Sequence, residues 1–75
     1  MYLIGIKKGV HPLGNSGTFI TRYKAQYKLK KIAQRFAAMY NLDEVYRLDI
    51  YPQNLCEMNN TEFVNYIRQN CKQYV

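Results

Sequence analysis

The residues of this chain best suited to chemistry are cations. Lys24, Lys28, Lys30, Lys31 and Arg35 fall in one short stretch, with Tyr23 and Tyr27 beside them and no acidic residue anywhere between. If the stretch is helical, Lys24, Lys28, Lys31 and Arg35 follow the spacing i, i+4, i+7, i+11 and make one ridge of positive charge. Like charges at i, i+4 cost about 0.2–0.5 kcal/mol per pair, and acids, not lysines, favour the start of a helix. A sequence that breaks both rules points to an anion supplied from outside. Lysines offer point charges to phosphates and release counterions, and Tyr23 and Tyr27 offer ring faces for stacking on unpaired bases. Neither a helix-turn-helix pair nor the aromatic sheet signature of an RNA-recognition module is present, so low sequence specificity is expected.

The charge distribution along the chain supports this. Up to Leu42 the sequence holds eight basic residues and no acid, whereas from Asp43 onward it holds five acids and three basic residues. The overall charge of +6 therefore hides a strongly basic first part. Segregated like charge costs stability unless a ligand offsets it, so the partner is a DNA or RNA phosphate backbone or, alternatively, an acidic protein surface. Eight tyrosines and no tryptophan also suit a protein interface, because Tyr brings contact area at small entropic cost.

A second motif, "GVHPLGNSGT" from Gly9 to Thr18, comes within one residue of a phosphate-binding loop. Asn15 stands where that loop needs a lysine, and the following "TFIT" reads as a strand, not as the helix whose amino terminus would face the anion. The loop over 9–17 is expected to reverse the chain between two strands, with Gly14, Asn15 and Gly17 taking positive φ. Asn15 and Ser16 remain candidates for an auxiliary phosphate contact. His11, the single histidine, lies in the same loop. It lacks a second histidine or paired carboxylates, so catalysis is not expected and a weak nuclease through His11 is the only enzymatic alternative. Cys56, Cys71 and one histidine do not complete a zinc site, and no metal or cofactor is expected. Both cysteines read as structural thiols, with a redox role left open.

The elements that position these residues follow from hydrophobic period. "MYLIGIK" places Tyr2, Ile4 and Ile6 on one face at period two, and "TFITRY" alternates Phe19, Thr21 and Tyr23 against Thr18, Ile20 and Arg22. Two strands joined by the glycine-rich loop make a hairpin. From about 25 to 40 the period becomes helical, with Ala25, Leu29, Ile32, Ala33, Phe36, Met39 and Tyr40 within an arc of roughly 120°. Asn41 is predicted to cap this helix in the left-handed conformation, followed by an apolar contact from Leu42. "EVYRLDIYP" reads as a half-buried strand stopped by Pro52. Asn59 and Glu62 are spaced as a capping box, with Met58 and Phe63 as its hydrophobic staple, for a second helix over about 60–73.

Seventy-five residues allow one small domain, 1–75, with a modest core. The expected class is α+β in the order β-β-α-β-α, with both helices packed on one face of a three-stranded sheet and the other face exposed. The alternative is β-α-β-α, if "TFITRY" instead opens the first helix. No apolar run is long enough to span a membrane, and charges follow the apolar amino-terminal stretch, the reverse of a secretory leader. A cytoplasmic, non-enzymatic, nucleic-acid-binding protein is the resulting expectation, with an interaction module as its rival.

Overall fold

The computed structural model describes residues 1–10, 14, 16–26, 28–50, 54 and 57–74, with Val10 described by its backbone alone. The elements are β1 (Tyr2–Val10), β2 (Ser16–Lys24), α1 (Leu29–Tyr40), β3 (Glu44–Leu48) and α2 (Asn60–Asn70). The strands form one antiparallel sheet in the order β2-β1-β3. The chain is α+β in the order β-β-α-β-α, and the hairpin reading of "TFITRY" holds. Val10 pairs with Ser16 and Gly9 with Gly17, so the connection is shorter than 9–17. Gly9, Gly14 and Gly17 take positive φ, as a tight reversal flanked by glycine permits. Asn15 lies outside the described residues.

The helices do not share a face. Ile4 and Ile6 of β1 and Tyr46 and Leu48 of β3 pack against Phe63, Val64 and Ile67 of α2. Leu3 and Val45 pack against Ala33, Phe36 and Ala37 of α1. Successive strand side chains point to opposite faces, so α1 and α2 cover opposite sides of the sheet and the domain has three layers. The expectation of two helices on one face fails because β1 is not amphipathic. Leu3 and Gly5 are as buried as Ile4 and Ile6, and a strand with apolar residues on both faces demands cover on both.

Three element ends also differ from expectation. β2 runs to Lys24, and the Ala25 N–H donates to the Met1 carbonyl at 3.2 Å, so sheet pairing claims the residues expected to open the helix. α1 therefore begins at Leu29, not near 25. β3 ends at Leu48, and Ile50, expected on its buried face, is 82% exposed. Tyr51 and Pro52 lie outside the described residues. α2 ends at Asn70, not near 73, because the chain turns extended at Cys71. There the Arg47 N–H donates to the Lys72 carbonyl at 3.2 Å and the Tyr74 N–H to the Val45 carbonyl at 2.8 Å. The outer backbone groups of β3 are satisfied in this way, which outweighs another helical turn.

The predicted caps are present. Asn41 adopts φ 51°, ψ 51° and its N–H donates to the Ala37 carbonyl. Leu42 then seats its side chain over Gly5, where a Cβ would overlap it. At α2 the Glu62 N–H donates to Asn59 Oδ1 at 2.8 Å, and Met58 packs against the cluster that holds Phe63.

Candidate nucleic-acid interface

The exposed face of α1 carries Lys30, Lys31 and Arg35. Lys31 and Arg35 are one helical turn apart and adjacent on the surface. Lys28 precedes the helix as its amino-terminal cap residue in a left-handed conformation, φ 52°, ψ 54°, and its side chain makes no capping hydrogen bond. The first turn holds no acid. Thus the orphan N–H groups and the positive end of the helix dipole meet Lys28, Lys30 and Lys31. α2 shows the ordinary arrangement, with Asn59 capping and Glu62 in the first turn.

Lys24 does not join this ridge. It is the last residue of β2, and strand alternation turns its side chain to the α2 side of the sheet, opposite to α1. The ridge expected from Lys24 through Lys28 and Lys31 to Arg35 is broken for that reason. Tyr27, His11, Asn15 and Cys56 lie outside the described residues. Ser16 opens β2 at the end remote from α1's first turn, since nine strand residues at about 3.3 Å each separate the two ends of the strand. Ser16 is therefore no neighbour of the amino-terminal lysines.

Tyr23 belongs to β2, where it lies on the α1 side of the sheet, half-exposed at 46%. Its ring stacks on Phe36 with centroids 5.5 Å apart, and Phe36 meets Tyr40 edge-on at 5.3 Å. Tyr23, Phe36, Tyr40, Met39 and Arg35 line a shallow cleft. Met39 and Tyr40 were expected in the core, yet they are 73% and 48% exposed. They sit in the last turn of α1, at its margin with the sheet. The helical phase of Met39 at the border of the apolar arc was the only signal of this, and Tyr40, inside the arc, gave none.

No family model, curated protein or solved structure matches the chain.

Three of the five acids are engaged elsewhere. Asp43 Oδ2 accepts the Lys8 N–H at 2.9 Å. Asp49 pairs with Arg47 at 2.8 Å and Glu44 with Arg68 at 2.6 Å. Among the described residues no ion pair involves Lys24, Lys28, Lys30, Lys31 or Arg35. The Arg68 guanidinium holds the Glu44 carboxyl below its ordinary range against an opposing effect of burial, and the Tyr46 hydroxyl adds a hydrogen bond of 2.6 Å. Burial pushes the Cys71 thiol up. Among the described residues, no three of His, Cys, Asp and Glu gather as metal ligands, and no helix is long and apolar enough to cross a membrane.

Proposed function

We propose that this chain is a non-enzymatic binding module that holds nucleic acid through the exposed face of α1, with low sequence specificity. The observation that carries the reading is the first turn of α1, where Lys28, Lys30 and Lys31 crowd a helix amino terminus that has neither an acid nor a side-chain cap. A phosphate seated there offsets both the dipole and the like charges. Arg35 continues the positive surface toward Tyr23 and Tyr40, whose half-exposed rings suit stacking on unpaired bases.

Fluorescence anisotropy against labelled single- and double-stranded oligonucleotides tests this. If Lys28, Lys30, Lys31 and Arg35 each contact a phosphate, log affinity for duplex falls with log salt at a slope of about 3 to 4. Charge reversal at Lys28 and Lys31 abolishes binding and leaves the circular-dichroism spectrum unchanged. A flat salt response, or unaltered binding by that double variant, refutes the reading. A second reading, docking of the same face on an acidic protein, is favoured by Met39, an exposed apolar residue beside Arg35. It predicts indifference to oligonucleotides.

A further inference from the structure

The two outer edges of the sheet are treated differently. The edge of β3 is covered by the carboxy-terminal segment, through the bonds of Val45 and Arg47 and the bridge of Tyr46 to Gln73. β2, the opposite edge, runs for nine residues, and among the described residues no backbone bond from another segment reaches its Thr18 or Ile20. Its hydrogen-bonding phase follows from the register. The Ala25 N–H bonds to the Met1 carbonyl, so the odd-numbered pairs, Leu3 with Tyr23 and Gly5 with Thr21, are the ones that exchange bonds with β1. The backbone groups of Thr18 and Ile20 therefore point outward. Among the described residues neither is engaged in a bond beyond the sheet.

A trough of about 420 Å³ lies along this edge. Met39, Tyr40 and Leu42 border it from the α1 side and Met58 and Phe63 from the α2 side. An added strand would thus send alternate side chains against apolar surface on both faces. Lys7 and Arg22 also line the trough, and no acidic residue does.

We propose that the outer edge of β2 is a docking site for an acidic, extended peptide segment of a partner protein, which adds to the sheet as a fourth strand. Outward amides and carbonyls supply the ladder, the apolar borders select alternate residues, and Lys7 with Arg22 at the trough select acids. The net charge of +6 disfavours a second copy of this chain at the edge.

The probe is a fluorescein-labelled heptapeptide of alternating glutamate and valine, titrated into the full chain. Binding is expected, weakened roughly tenfold or more when lysine replaces glutamate, and lost when alternate peptide amides are N-methylated, which removes ladder donors without touching the protein. Hydrogen exchange at the Thr18 and Ile20 amides slows on adding the peptide. Ile20→Pro deletes one outward donor and abolishes binding while circular dichroism reports the fold. The Lys30→Glu, Lys31→Glu variant binds the peptide as the parent chain does, which separates this edge from the α1 surface. The proposal is overturned if the heptapeptide does not bind or if N-methylation leaves affinity unchanged. It is likewise overturned if Lys30→Glu, Lys31→Glu abolishes peptide binding, or if the free chain is a dimer whose Thr18 and Ile20 amides are already protected.

Discussion

Lys28 is the residue where stability and binding conflict. A left-handed conformation costs an L side chain about 1–2 kcal/mol, and a cation at a helix amino terminus adds a few tenths more. Lys28→Gly removes both penalties but widens the unfolded ensemble, so a net gain of about 0.5–1 kcal/mol is expected in urea denaturation. The same substitution should weaken oligonucleotide binding and reduce the salt slope by about one. A loss of stability on Lys28→Gly would show that the lysine has a structural purpose. Other single residues were readable from type and position alone. Asn41 and Asn59 hold their predicted capping places because their side chains and φ preferences act within a few residues. The exposure of Met39 was signalled only by its place at the border of the apolar arc, and that of Tyr40 was not readable at all.

Among the elements, the two helices make an internal comparison. α2 carries a side-chain cap, an acid in the first turn and Arg68 in the last turn, each favourable to the dipole. α1 has none of these and is held by packing of Ala33, Phe36 and Ala37 on the sheet. Asn59→Ala should destabilise the domain by about 1 kcal/mol, because the Glu62 N–H loses its acceptor. A chemical-denaturation midpoint unchanged by Asn59→Ala would contradict that account. Hydrophobic period located all five elements but misplaced several ends. Lys24 and Ala25 fit a helix by period, yet pairing with β1 takes them, and Cys71 fits α2, yet β3 needs its neighbours to close an edge. Helical phase cannot register a competing hydrogen-bond partner elsewhere in the chain.

At the scale of the whole molecule, Glu44 is the tie between sheet and second helix. Its carboxylate accepts from Arg68 Nε at 3.1 Å and Nη2 at 2.6 Å and from the Tyr46 hydroxyl. Because the folded carboxyl titrates below its ordinary value of 4.5, the stabilisation is fully present above that value and is lost as the pH falls through the lower folded one. Arg68 is partly exposed, so the contribution is that of a surface pair, about 0.2–1 kcal/mol. Glu44→Gln should thus lower thermal stability at neutral pH, and the gap from the parent should close in strong acid. An undiminished gap there would exclude the carboxylate as its cause. Composition, period and capping chemistry by themselves determined an α+β domain and a concentration of cations around the start of the first helix, while leaving two element orders open, because those properties are set over a few consecutive residues. Only the tertiary structure decided between the two element orders, that α1 and α2 lie on opposite faces, that Lys24 turns away from Lys28, Lys31 and Arg35, and that the carboxy-terminal segment closes the β3 edge of the sheet. Each of these depends on which strand pairs with which, and pairing is settled by contacts between residues far apart in the chain.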